Sequence, residues 1–292
     1  MQQVFQYLIT PHQRWKTITA EKFVDPEDQH TFSVHWATPF PSEQQSTLYV
    51  IIPGMLNTHS HKYIEPFVHA LSAKGSTCVI NYPLLADAAT GTTIPNYSDE
   101  RYLRHFLEIM NLRHPQCQLH LVGLSMGGTL AIKCQDMATR VLAICSPVLG
   151  SEVWKSISGV YFGFLKTAFL TGPMFRLAVK NPGKWGTKLL EMARASNSQQ
   201  LTTVVEAETK YNVYQMSIES LMLQLPLGKV MMAHTKDDAI IPYRPDSDPL
   251  FARVARITLP TGSHLFFSGQ QAKELVNTWL ADASIVYESS LL

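Results

Sequence analysis

Charge is scarce in this chain. Asp, Glu, Lys and Arg make up 16% of its 292 residues, against about 25% in a typical soluble protein. Neither sign dominates: 24 Lys and Arg face 23 Asp and Glu, for a formal net charge of +1. That excludes the global basic excess of a nucleic-acid-binding protein, so no nucleic-acid partner is expected. Cysteine is scarce too. Cys78, Cys117, Cys134 and Cys145 stand far apart, with no C-x-x-C pair. Neither a disulfide framework nor a zinc site is indicated; they read as small buried hydrophobes in a reducing compartment. No run of about 18 apolar residues occurs, so no segment is read as crossing a bilayer. The opening MQQVFQYLITPHQRWK lacks a basic start, an apolar stretch and a small-residue cleavage site, and a cytoplasmic location is the expectation. H-E-x-x-H, a Walker-type loop and G-x-G-x-x-G are all missing, so no metal and no cofactor are expected.

What is present is apolar. Hydrophobic residues are 46% and aromatics 10%, which excludes a disordered chain. The length fits one large domain with an insertion, or two modest ones. Lys16 to Val24 and Thr31 to Ala37 read as short strands. Thr47 to Pro53 is a continuous apolar run, the mark of a strand buried on both faces. Tyr63 to Lys74 has helical spacing and stops at Gly75. Then follow a strand at Cys78 to Tyr82, a helix at Ser98 to His114, a strand at Leu119 to Val122, a helix at Ser125 to Met137 and a strand at Val141 to Cys145. Strands resume at Lys229 to His234 and Ala255 to Leu259, and a helix at about Gln270 to Leu280 closes the pattern. This alternation predicts an α/β fold with a mostly parallel sheet and helices on both faces.

Gly123-Leu124-Ser125-Met126-Gly127 matches G-x-S-x-G. It lies between an apolar strand and a helix, the context that a nucleophile elbow requires. The turn forces the serine into a strained conformation that lifts its hydroxyl out at the carboxyl end of the sheet. Glycines two residues either side leave room for tight strand–helix packing. A serine hydroxyl needs a base to take its proton. Folds built on such an elbow order their triad Ser, Asp or Glu, His. His264, in a Gly-containing loop after the last predicted strand, is the expected base. His59, His61 and His69 precede the serine, and His234 lies inside a strand, where packing is its expected role. The orienting acid should follow the preceding strand, where Asp237 and Asp238 both stand. Two backbone donors must hold the oxyanion. The N–H of Met126 follows the nucleophile, and the N–H of Met55 follows Pro53-Gly54 after the third strand. Met55, Leu56, Met126, Leu265 and Phe266 are expected to rim the serine as an apolar substrate pocket.

On these motifs the chain resembles the α/β-hydrolase superfamily over nearly its whole length. Several strings are similar to the YheT-like esterase branch: Pro53-Gly54-Met55-Leu56-Asn57, Ser60-His61-Lys62-Tyr63, Val79-Ile80-Asn81-Tyr82-Pro83 and Gly123 to Gly128. Pro53 stands where that branch has histidine, and Tyr82-Pro83 where it has Arg-Gly. Asp238-Ala239-Ile240-Ile241-Pro242 looks like the superfamily's D-P-I-V-P string, so the resemblance implies Asp238 as the acid and Asp237 as its rival. It also implies an eight-stranded sheet forming one domain over residues 1–292, with a helical lid at 149–227 inserted between the sixth and seventh strands.

The insertion is compositionally distinct. From Val153 to Leu190 it carries Lys155, Lys166, Arg176, Lys180, Lys184 and Lys188 with no acidic residue, interleaved with aromatics such as Trp154, Phe162 and Trp185. A lid over an apolar pocket is the favoured reading, and peripheral contact with a membrane surface through this basic segment is the rival. The expected activity is that of a serine carboxylesterase or lipase-like hydrolase, acting on a small apolar ester through an acyl-enzyme. A thioesterase or acyltransferase using the same triad stays open, as does a non-catalytic binding protein on this fold. The sequence leaves the acyl-chain length, the leaving group and the oligomeric state open.

Overall fold

Apolar runs in the sequence become the interior of one sheet. The computed structural model describes residues 15–27, 31–39, 47–54, 62–81, 100–149, 217–238, 241, 243–245, 247–265 and 267–281. The strands are β1 (Thr19–Val24), β2 (Thr31–Trp36), β3 (Thr47–Ile52), β4 (Ser76–Asn81), β5 (Gln118–Leu124), β6 (Arg140–Ile144), β7 (Val230–Thr235) and β8 (Ala255–Leu259). They form an eight-stranded sheet in the order β1-β2-β4-β3-β5-β6-β7-β8. β1 pairs antiparallel with β2, and β2 antiparallel with β4. Every other pairing is parallel. The expected mostly parallel sheet is thus present.

The helices are α1 (Glu65–Ser72), α2 (Arg101–Arg113), α3 (Met126–Lys133), α4 (Glu219–Met222) and α5 (Gly269–Ala281). Alternate strand residues feed two separate cores. Val50, Leu121 and Met232 join Phe106 of α2 and Leu130 of α3 on one face. Ile51, Val122 and Ile144 join Phe67 of α1 and Trp279 of α5 on the other. Covering both faces explains why β3 reads as an unbroken apolar run and why β4, β5 and β7 are buried almost throughout, while burial alternates along β2.

Element ends differ from the sequence reading by a few residues. The Ser125–Met137 helix is α3 followed by a single 3-10 turn at Gln135–Met137. Ser125 itself is excluded from the helix by a φ of 54°. α2 starts at Arg101, and Ser98, where the sequence places the start of this helix, lies outside the described residues. So does the predicted lid, apart from residue 149 and residues 217–227. Cys78, Cys134 and Cys145 are buried and Cys117 is half-buried, and all four are free thiols. No helix among the described residues is long and apolar enough to cross a membrane.

Candidate active site

The parallel strands all point their carboxyl ends the same way, and three turns at that end carry the polar residues. β5 runs into the elbow. Ser125 takes φ 54° and ψ −126°, a conformation costing about 1–3 kcal/mol for a residue with a side chain. Its N–H donates to the carbonyl of Ile144 at 2.8 Å, which ties the turn to the end of β6. The glycines are a packing requirement. A Cβ on Gly127 would lie 2.1 Å from the Ile52 carbonyl oxygen, and one on Gly123 would lie 2.3 Å from the Gly127 carbonyl oxygen. Gly128 faces the next strand's turn, where an added Cβ would meet the Ser146 hydroxyl. The elbow is therefore wedged between the ends of β3 and β6.

His264 and Asp238 reach this serine from two later turns. The His264 Nε2 lies 3.0 Å from the Ser125 Oγ. Its Nδ1 lies 2.9 Å from the Asp238 Oδ2. The proton positions follow from chemistry. A carboxylate only accepts, so Nδ1–H donates to Asp238. That leaves the Nε2 lone pair facing the serine, so the Ser125 hydroxyl donates to it. The second carboxylate oxygen, Oδ1, accepts the Ile241 N–H at 2.9 Å. Asp238 and His264 are buried, whereas Ser125 is half-exposed. The hydroxyl is thus reachable from outside while the ion-forming pair behind it is shielded from water.

The structure separates the two aspartates. Asp238 takes the ring of His264. Asp237 faces the solvent and accepts the backbone N–H groups of Ser263 at 2.8 Å and Gly262 at 3.4 Å. His234, read as packed, is indeed buried. Its Nε2–H donates to the Ile241 carbonyl at 3.0 Å and sits 3.8 Å from the Asp238 Oδ2. Burial is the main cause lowering its proton affinity, against a smaller opposite pull from Asp238.

Met126 opens α3, so its N–H is one of the four that a helix start leaves without an intrahelical partner. It directly follows the serine, as an oxyanion donor should. Met55, Leu56 and Phe266 lie outside the described residues. The residue before Met55 is held: the Gly54 N–H donates to the hydroxyl of buried Tyr63 at 3.1 Å. Leu265 was expected on the rim. Its φ of 68° places it instead in the core cluster shared with Phe67 and Phe267, 1% exposed.

Cys145, Asp238 and His264 place a sulfur, an oxygen and a nitrogen within 4.8 Å of one another. Asp238 and His264 already spend those atoms on each other. Burial pushes the Cys145 thiol well up, with Asp238 adding to the effect. The thiol is then neither a ready metal ligand nor a nucleophile. Sequence reasoning missed Thr235, whose Oγ1–H donates to the Ser263 carbonyl at 2.7 Å. For the aspartate that does not orient His264 the sequence leaves the role of a loop cap or turn residue, and Asp237 caps the turn before His264 through the Ser263 and Gly262 N–H groups.

No family model matches the chain. It is 26% identical over 142 residues to Abhydrolase domain-containing protein 2 of Drosophila melanogaster. That match covers 47% of this chain and 36% of the relative, so the chain spans about a third of the curated relative it matches. An esterase of Pyrococcus furiosus superposes with a TM-score of 0.59 at 11% identity, covering 91% of both chains. An alpha/beta hydrolase enzyme from a Medee basin deep-sea metagenome library gives 0.58 at 13% identity, covering 92% of this chain and all of that one. A serine hydrolase homologue from Coxiella burnetii gives 0.52 at 13% identity, over 91% and 97% of the two chains. With its strand order, its elbow and these likenesses, the chain has the α/β-hydrolase fold.

Proposed function

We propose that this protein is a serine hydrolase that cleaves a carboxylic ester of an apolar acyl group. The observation that carries the reading is the relay from Ser125 through His264 to Asp238, at 3.0 and 2.9 Å, with the serine raised on a strained turn.

In this reading His264 Nε2 takes the hydroxyl proton as Ser125 Oγ attacks the ester carbonyl. The carbonyl oxygen becomes an oxyanion facing the N–H of Met126, with Met55 N–H as the second donor. Asp238 keeps the ring oriented and stabilises its positive charge without taking the proton. The tetrahedral intermediate collapses, His264 hands its proton to the leaving alcohol, and the acyl group stays on Ser125 Oγ. Water then attacks the acyl-enzyme, its proton passing to His264 and on to Ser125, and the free acid departs. The apolar acyl group rests on the apolar residue types expected around the serine; of these Met126 and Leu265 are buried in the two core clusters, and Met55, Leu56 and Phe266 lie outside the described residues.

Labelling with a fluorophosphonate probe tests the mechanism. Wild-type protein is expected to form a stable adduct on Ser125, and Ser125→Ala none. The same variant should lose at least about 10³-fold of the turnover of p-nitrophenyl esters. Undiminished labelling of Ser125→Ala sinks the proposal. A panel of esters and thioesters of increasing chain length then reads the preferred acyl and leaving groups.

A further inference from the structure

The loop that carries His264 is bent in a way its own residues do not favour. Gly262, Ser263 and Leu265 have φ of 145°, 46° and 68°. Two of the three carry side chains, which avoid that region. Something outside the loop must hold it, and the short contacts come from the end of β7, with the Cys145 thiol adding a long one to the Ser263 carbonyl at 4.0 Å. The Asp237 carboxylate accepts two successive N–H groups, Ser263 on Oδ1 at 2.8 Å and Gly262 on Oδ2 at 3.4 Å. The Thr235 hydroxyl donates to the carbonyl of the same Ser263 at 2.7 Å. The Lys236 N–H reaches the Leu259 carbonyl at 2.9 Å. Both backbone groups of the residue before His264 are therefore held by side chains two positions apart. The Thr235 methyl also fills the space beside Gly262, 2.7 Å from where a Cβ would stand.

We propose that Asp237 and Thr235 are positioning residues, a clamp that sets the backbone of the His264 loop so that the ring reaches Ser125 and Asp238 together. The proposal rests on the Ser125–His264–Asp238 reading. It divides labour within one turn. Asp238 fixes the ring of His264, and its neighbour Asp237 fixes the chain that bears it. The clamp is needed because His264 must meet two partners at about 3 Å at once, and an error of about 1 Å in such geometry costs up to about 100-fold in rate. Asp237 lies in water, so its bonds compete with solvent and its share is the smaller part of that range.

Four variants test the clamp: Asp237→Ala, Asp237→Asn, Thr235→Val and Thr235→Ser. Each is assayed well below its melting temperature for the rate constant of fluorophosphonate labelling and for ester kcat and KM. Asp237→Ala and Thr235→Val should lower kcat and labelling about 5- to 50-fold with KM within about twofold. Asp237→Asn keeps one acceptor for Ser263 and should recover part of the loss, and Thr235→Ser should recover most of it. Melting temperatures that fall while folded protein labels and turns over at the wild-type rate would overturn the proposal, because the residues then serve stability alone. An independent readout is the downfield NMR resonance of the His264 Nδ1–H. It should shift or broaden by faster exchange in Asp237→Ala and Thr235→Val, and an unchanged resonance in both also overturns the clamp. If wild-type protein fails to label yet the resonance responds, the hydrolase reading fails and the clamp stands.

Discussion

His120 shows what one residue contributes when it is neutral and enclosed. It sits near the start of β5, at the end of the sheet away from Ser125, edge-on to the rings of Tyr49 and Trp279. Among the described residues neither of its ring nitrogens has a hydrogen-bond partner. Burial, reinforced by the charge of Arg140, holds its pKa down at about 4. In the unfolded chain it returns to about 6.5. As pH falls below 6.5 the unfolded chain takes up a proton that the folded chain refuses. The stability is therefore whole above pH 6.5 and is lost between 6.5 and about 4. The full shift corresponds to about 3 kcal/mol. His120→Phe keeps the ring cluster and removes the titration. Its urea stability should fall about 1–3 kcal/mol less than that of wild type between pH 7.5 and 4.5, and an equal fall in both would show that His120 does not carry the effect.

Much of the candidate site is legible at this scale, because chemistry restricts the choice. A serine between glycines after an apolar run, a histidine after the last strand and an aspartate after the one before leave few alternatives. Asp237 and Asp238 differ by one position; residue types alone leave both open, the likeness of Asp238 to Pro242 to D-P-I-V-P points to Asp238, and the turn places that carboxylate on His264. Leu265 is buried in the core cluster with Phe67 and Phe267 and has a φ of 68°, and nothing in its identity announces either.

At the scale of elements, helix ends and close approaches matter more than propensity. α5 begins with a reciprocal cap. The Ser268 Oγ accepts the Gln271 N–H, and the Gln271 side chain accepts the Ser268 N–H. At its other end Arg140 donates to the carbonyls of Trp279 and Leu280, satisfying acceptors that the helix leaves open. Ser268→Ala should therefore cost about 1 kcal/mol, read as a lowered urea midpoint with unchanged slope. Two glycines next to helix starts should behave oppositely. Gly127→Ala drives a Cβ against the backbone of β3, and should destabilise by about 1–3 kcal/mol while slowing Ser125 labelling. Gly269→Ala meets nothing within 4 Å, and should be neutral or stabilising by up to about 1 kcal/mol. A Gly127→Ala protein as stable and reactive as wild type would refute the wedge. The elements were legible where one period ran unbroken, as in β3 or α1. Their ends were not, because tertiary contacts such as the Ser125 N–H to Ile144 bond set where a helix begins.

For the molecule as a whole, the site is a product of long-range assembly. Ser125 and His264 lie 139 residues apart in sequence, and they meet because the turns after β5 and β8 lie at the same end of one parallel sheet, with β6 and β7 between them. The relay should then vanish only with the sheet. In a urea titration, Ser125 labelling and the sheet signal in circular dichroism are expected to be lost at one midpoint. Labelling that disappears well before the sheet would mean that the His264 turn opens by itself.

The far edge of that sheet has a consequence of a different kind. Among the described residues β1 is an edge strand with no strand on the side away from β2, and an open edge invites another copy to pair with it and begin an aggregate. Here it carries Glu21 and Lys22 in mid-strand, and Arg113 of α2 pairs with Glu21 at 2.9 Å. A second chain extending this edge would have to desolvate these charges and re-pair them. In a molecule with so few charged residues, those at mid-strand in β1 are expected to discourage self-association. Concentrated solutions of a Glu21→Val, Lys22→Val variant should scatter light where the wild type stays clear.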